Sequence, residues 1–285
     1  VAVTAVWGVT FVQVKDAVAL YPLFAFLAVR FAIASCALAP VGVRRLRALG
    51  RGGVGAGAFA GALLGAGYAL QTAGLQRTSV SSTGFITGMY VVLTPLIALI
   101  LFRVRAARSA WVGVLLATVG LVLLSGRVQA GGIGGDLLVL GGAAVYSLQI
   151  VLMERFAPLY DAVAFTLVEM AAACAGLFVV AISAGQLQVP HGLTVWGALL
   201  VTGVFASALA FLAQTWAQRR ATATQTALAF SLEPVWAAFF GLTLAGDRLG
   251  VLSWLGCAVI MAGIVVAEPA AGHALRRIVR KPRLV

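Results

Sequence analysis

Apolar residues run along this chain in blocks separated by charges, prolines and glycine-rich turns. A helix needs about 20 apolar residues to cross a hydrocarbon layer ~30 Å thick, and most blocks have that length. Cutting at the interruptions predicts ten spans: 1–17, 22–42, 54–75, 80–102, 109–126, 136–155, 162–184, 194–217, 222–245 and 250–268. Val1 already lies inside an apolar run, so the first span is expected to be cut short. The expected fold class is an all-α polytopic membrane protein. Polar residues inside the spans keep helical spacing: Thr83, Thr87, Tyr90 and Thr94 share one face, ending beside Pro95.

That polar face returns later in the chain. An offset of 139 carries Thr83, Thr87, Tyr90 and Thr94 onto Thr222, Thr226, Ala229 and Glu233, and Pro95 onto Pro234. The same offset pairs Trp7 with Tyr146 and Arg30 with Glu169. An offset of 143 pairs Gln71-Thr72 with Gln214-Thr215, and Trp111, Gly113 and Gly120 with Trp254, Gly256 and Gly263. The chain therefore divides into a first five-helix repeat, 1–127, a second, 128–268, and a basic tail, 269–285. Five is odd, so the repeats must enter the membrane in opposite senses, which is the inverted-repeat design of many secondary transporters. Pro95 and Pro234 each remove a helical hydrogen bond, and both are expected to act as hinges.

Composition sharpens this picture. The 285 residues are 62% hydrophobic and 10% charged, with 33 glycines. Mean hydropathy is +1.06. A water-soluble domain of this size would carry far more charge at its surface. The net charge of +12 could suggest a nucleic-acid partner, but the basic residues sit between spans. With the first helix starting inside, Arg44, Arg45, Arg47, Arg51, Arg103, Arg105, Arg108, Arg155, Arg219, Arg220 and five residues of the tail all fall in the cytoplasm. Lys15, Arg77, Arg127 and Arg248 fall outside. This is the positive-inside bias; it puts both termini in the cytoplasm and leaves the lipid bilayer, not nucleic acid, as the partner. Cys36, Cys174 and Cys257 lie in separate apolar runs and read as buried thiols. His191 and His273 have no metal-ligand spacing, so neither a metal nor a cofactor is expected.

Over its whole length the chain resembles the EamA branch of the drug/metabolite transporter superfamily. The resemblance rests on Arg30-Phe31 in the second span, Pro95 and Pro234 in the fourth and ninth, and the glycine pairs Gly113/Gly120 and Gly256/Gly263 in the fifth and tenth. A glutamate common in that family after the fourth helix is missing from Phe102-Arg103-Val104-Arg105, while the second half has Gly246-Asp247. Within the branch the chain is most similar to bacterial aromatic amino-acid exporters. That resemblance implies multi-pass insertion in a bacterial cytoplasmic (inner) membrane, alternating access, and a small-molecule substrate.

The candidate site follows from residues that are polar or aromatic within spans. Trp7 and Phe11 share a face of the first helix, and Tyr146 and Gln149 occupy the matching face of the sixth. An aromatic and a hydrogen-bonding group from each half suit a substrate with an apolar side chain and a polar head. The same residues could instead pack in helix seams. Tyr68, Gln71 and Thr72 form a hydrogen-bonding wall or an interhelical lock, and Tyr90, Gln214 and Ser231 complete the expected substrate contacts. Arg30, Glu169 and Glu233 are the ionisable residues within spans, and each should face protein or water and find a partner. The matched positions of Arg30 and Glu169 suggest an ion pair. Gly53, Gly57, Gly61 and Gly65, spaced by four, predict a close-packing helix face.

The resemblance also leaves export of threonine-type, nucleoside or other small metabolites by the same fold open, and two other classes compete with an amino-acid exporter. Proton-coupled efflux of cations or drugs needs a membrane carboxylate that alternates between proton and cargo, and Glu169 and Glu233 are the groups open to it. An intramembrane enzyme would need a catalytic motif, and neither HExxH nor GxSxG occurs.

Overall fold

A computed structural model describes residues 2–78, 80–125, 133–244 and 250–267. Among the described residues the regular structure is helical throughout, with no strand. The expected tail 269–285, the Gly246-Asp247 pair, Arg127 and Arg248 lie outside them.

The chain opens with α1 (Ala2–Leu20) and α2 (Leu23–Gly42). A 3₁₀ turn, Val43–Leu49, then leads into α3 (Gly50–Leu75). Next come α4 (Val80–Gly88), α5 (Tyr90–Phe102) and α6 (Arg108–Ser125). The second part of the chain has α7 (Ile133–Phe156), α8 (Ala162–Ser183) and α9 (Leu193–Leu200). A π-helical stretch, Val201–Leu209, joins α9 to α10 (Ala210–Gln218). The described chain closes with α11 (Ala223–Phe230), α12 (Leu232–Leu244) and α13 (Val251–Ala267).

Among the described residues, six helical stretches are long and apolar enough to cross a membrane: Ala2–Leu20, Leu23–Leu75, Thr83–Phe102, Ile133–Leu159, Ala162–Ser183 and Leu193–Gln218. Leu23–Leu75 carries both α2 and α3, and shorter apolar helices run over Arg108–Leu123 and Trp254–Val266. Large apolar side chains point away from the bundle, among them Ile100, Leu115, Val179 and Val265. A surface of this kind belongs against lipid, because water would penalise so much exposed hydrocarbon.

Small residues set which helices touch. The glycine face of α3 lies on α8: a Cβ on Gly57 would meet the Val168 side chain at 3.0 Å, and one on Gly61 would run into the Glu169 carbonyl oxygen. The two G-x6-G pairs meet each other in the α6–α13 contact. A Cβ on Gly120 would sit 2.7 Å from the Gly256 oxygen, and one on Gly263 2.8 Å from the Gly113 oxygen. With no side chain between them, two backbones approach closely enough for dispersion to hold helices that lipid alone would not drive together.

The interruptions fall near the prolines but not on them. The expected span 80–102 breaks at Met89, six residues before Pro95, and 222–245 breaks at Ser231, three before Pro234. At the first break Met89 N–H donates to the Ile86 oxygen at 3.1 Å and Val92 N–H to the Met89 oxygen at 3.0 Å. A proline removes its own N–H and crowds the carbonyl four residues back, so its distortion lands in the preceding turn. The third irregularity, the π-helical stretch, contains no proline.

The thiols are unpaired, as expected, but they are not all buried: Cys257 is buried, Cys174 half-buried and Cys36 exposed.

Asp161 caps α8, its Oδ1 accepting from Val163 N–H at 3.1 Å and Ala164 N–H at 3.0 Å, and its Oδ2 accepts from Arg45 at 3.1 Å. The ion pair is solvated, with side chains 51% and 33% exposed. Asp161→Ala should therefore cost about 1 kcal/mol through the lost cap. Arg45→Ala should cost less than about 0.5 kcal/mol. Thermal unfolding of the two variants in detergent checks the order; equal losses would place the stabilisation in the ion pair.

Candidate functional site

Where the interrupted helices converge, the bundle forms a partly open cavity. One wall is aromatic: Trp7 and Phe11 from α1, Tyr68 from α3, Tyr90 from α5, Phe211 from α10 and Phe230 from α11. The rings are in contact. Trp7 meets Phe230 edge-on at 4.8 Å between centroids and Phe211 at 5.5 Å, and Tyr68 meets Tyr146 edge-on at 5.5 Å. The polar wall comes from Gln71 and Thr72 of α3, Thr87 of α4, Gln149 of α7 and Gln214 of α10. Arg30 and Glu233 also reach it.

The polar side chains are held by bonds that run between helices. Gln71 donates through Nε2 to Thr87 Oγ1 at 2.9 Å and accepts from the Tyr146 hydroxyl at 3.2 Å. Gln149 Nε2 donates to Glu169 Oε1 at 2.8 Å, and Gln149 Oε1 accepts from Gln214 Nε2 at 3.0 Å. Gln214 Nε2 also reaches Gln218 Oε1 at 2.9 Å, and Gln218 Nε2 ends the chain on the Ile150 carbonyl at 2.9 Å. The amide chain is oriented from end to end, because each carboxamide offers separate donor and acceptor atoms.

The first part of the chain grips the second through two neighbouring residues of the π-helical stretch. The Trp7 indole N–H donates to the Ala206 carbonyl at 2.8 Å, and Arg30 Nε donates to Ser207 Oγ at 2.8 Å. Tyr90 makes the third link. Pro234 has no N–H for the carbonyl four residues before it, that of Phe230. The Tyr90 hydroxyl donates to this oxygen at 2.7 Å and lies 3.2 Å from Glu233 Oε2. The proline break thus leaves a backbone acceptor inside the membrane layer, where an unsatisfied group is costly, and a phenol satisfies it.

Of the sequence-derived substrate contacts, Trp7, Phe11, Tyr68, Gln71 and Thr72 line the cavity, as do Tyr90, Tyr146, Gln149 and Gln214. Ser231 does not: it is fully buried at the α11–α12 break, its hydroxyl turned back onto the Leu228 carbonyl at 2.6 Å. Hydroxyls next to a helix break take this local bond readily.

The expected Arg30–Glu169 ion pair does not form. Arg30 is held by Ser207 and by the Tyr68 hydroxyl at 3.1 Å, with its guanidinium 4.4 Å from the Tyr68 ring centre. Glu169 sits behind Gln149, outside the cavity lining, and its Oε2 has no hydrogen-bond partner. α2 and α8 pack directly on each other, yet Arg30 turns to Ser207 and Tyr68 while Glu169 turns to Gln149, so the two side chains do not meet.

Phe211 and Phe230 were missed at the sequence level. Each precedes a polar lining residue by three positions, Gln214 and Glu233, and so shares its face; that spacing was the available signal.

A bundle of lipid-facing helices around a cavity lined by rings and carboxamides fits a membrane carrier. The EamA-like transporter family model matches residues 1–126 and again 133–267, and the chain belongs to that family. It is 29% identical over 269 residues to an uncharacterised transporter of Archaeoglobus fulgidus, covering 93% of this chain and 83% of that one. It is 26% identical over 273 residues to the uncharacterised inner membrane transporter YedA of Escherichia coli, covering 92% and 86%. The uncharacterised transporter YyaM of Bacillus subtilis matches at 26% over 210 residues, 70% of this chain and 68% of that one. A solved crystal structure superposes with a TM-score of 0.77 at 18% identity, covering 94% of this chain and 95% of the other, a likeness of fold. The protein is a multi-pass membrane transporter.

Proposed function

We propose that the protein exports amino acids with aromatic or bulky apolar side chains across a bacterial cytoplasmic membrane by alternating access. In this reading ten spans form two inverted five-helix repeats, 1–127 and 128–268, with both termini cytoplasmic, and no cofactor takes part. The observation that carries it is a lining that combines a row of contacting rings, among them Trp7, Tyr68 and Phe230, with the carboxamides of Gln71, Gln149 and Gln214. An apolar side chain gains area on the first, and a polar head exchanges its water for the carboxamides of the second. The helix breaks ahead of Pro95 and Pro234 give the halves places to bend.

Counterflow of labelled phenylalanine in proteoliposomes tests the proposal. Tryptophan should compete with no pH gradient, and Trp7→Ala should slow exchange about tenfold or more, because it removes a buried ring and its bond to Ala206. One observation favours a second reading, proton-coupled efflux of cations: Glu169 and Glu233 are both buried, and neither is paired with a base among the described residues. Exchange of a cationic dye alone, dependent on a pH gradient and abolished by Glu233→Gln, would replace the first reading with the second.

A further inference from the structure

An arginine and a glutamate share this cavity without touching. Arg30 is 2% exposed and Glu233 is 6% exposed, both line the cavity, and no ion pair joins them. Among the described residues the ion pair is Arg45 with Asp161, far out on the surface. Side chains of this kind are expensive inside a membrane unless something of opposite sign meets them.

Neutral groups aim each one without neutralising it. Arg30 uses Nε on Ser207 and Nη2 on the Tyr68 hydroxyl, two of the five N–H groups of a guanidinium. Glu233 Oε2 lies 3.2 Å from the Tyr90 hydroxyl, whose proton goes to the Phe230 carbonyl. Between them runs a row of rings. Tyr68 lies beside Arg30, then Phe211 at 6.2 Å, Trp7 at 5.5 Å, Phe230 at 4.8 Å and Tyr90 at 6.2 Å, beside Glu233. Two rings of the row are fixed across the bundle, Trp7 on the Ala206 carbonyl and Tyr90 on that of Phe230.

We infer that Arg30 and Glu233 are the two poles of a receptor for a dipolar substrate, Arg30 taking its carboxylate and Glu233 its cationic nitrogen. The inference rests on the amino-acid reading and deepens it, since it assigns the head group to charged residues and leaves Gln71, Gln149 and Gln214 to orient it. It also sets the specificity. A zwitterion meets both poles and adds no net charge to the cavity, whereas a compound with one charge leaves the other pole buried and unpaired. A guanidinium suits a planar carboxylate because its parallel N–H groups match two oxygens at once.

The test is ligand-induced thermal stabilisation of the purified full chain in detergent. The ligands are phenylalanine, 3-phenylpropionate, phenethylamine, threonine and glycine; the proteins are wild type, Arg30→Gln, Arg30→Lys and Glu233→Gln. Wild type should bind phenylalanine roughly 30-fold or more tightly than either single-charge analogue. In Glu233→Gln the advantage of phenylalanine over 3-phenylpropionate should vanish, and in Arg30→Gln its advantage over phenethylamine should vanish. Arg30→Lys keeps the charge and should keep the preference, at lower affinity. Equal binding of phenylalanine and either analogue by wild type, which needs no variant to fold, overturns the inference. So do variants that still reject the one-charge compounds. If threonine and glycine bind as well as phenylalanine, the two poles stand and the aromatic side-chain preference falls. If no amino acid binds, both readings fall together.

Discussion

Replacing Gln149 with leucine is expected to destabilise the protein by on the order of 3 kcal/mol, more than removing any single surface interaction. Gln149 is 2% exposed, and its Nε2 supplies the hydrogen bond recorded for the Glu169 carboxyl. Glu169 is fully buried and its other oxygen is already unpartnered. Leucine leaves that carboxyl with nothing, and it also takes from Gln214 the acceptor at Gln149 Oε1. The double variant Gln149→Leu/Glu169→Leu should recover most of the loss, because removing both partners removes the unsatisfied group along with the bond. Thermal unfolding in detergent of the wild type, both single variants and the double variant forms the required cycle. A double variant no more stable than Gln149→Leu would show that packing at these positions, and not the carboxyl's need for a donor, sets the cost.

Gly61→Ala should be the most damaging single-methyl change in α3, while Gly65→Ala, one turn further on, should be nearly silent. At Gly61 the new Cβ runs into a backbone oxygen of α8, and backbone cannot swing aside as a side chain can. The two helices must separate, and overpacking of this sort costs about 1–3 kcal/mol. At Gly65 the nearest atom is the Ala173 Cα at 3.5 Å, an ordinary contact. The better helix propensity of alanine should then offset any crowding. Yield of monodisperse protein after size exclusion, with the unfolding midpoint, separates the two outcomes. Equal behaviour of the two variants would mean that α3 can slide along α8.

The contrast between Gly61 and Gly65 also shows how far the sequence could be read. The four-residue glycine spacing announced a close-packing face, because spacing alone sets which residues share a side of a helix. It could not rank the glycines, since the gap at each depends on what the neighbouring helix places opposite. The cavity was legible for a related reason. A tryptophan, tyrosines and carboxamides inside apolar spans are conspicuous against leucine and alanine, and nine of the ten expected contacts converge on one space. Phe211 and Phe230 carry no such contrast. Ser231 read as a contact because a hydroxyl inside an apolar span is polar by composition, but its partner proved to be the Leu228 carbonyl one turn back. Arg30 and Glu169 misled through symmetry, their matched positions inviting a pairing, whereas each side chain turns to other partners. The prolines marked where the backbone is weak, whereas the π-helical stretch has no residue type that betrays it.

That stretch changes what a small backbone adjustment can accomplish. An α-helix turns about 100° per residue, so a segment wound with i→i+5 bonds is out of phase with one wound regularly. Rewinding Val201–Leu209 would rotate everything beyond it, and Phe211 and Gln214 would swing off the cavity wall together. The same rewinding would turn Ala206 and Ser207, the residues that hold Trp7 and Arg30. One ring, one carboxamide and two anchors are thus geared to a single winding number. A helix without a hinge residue can in this way change the composition of the cavity by turning about its own axis.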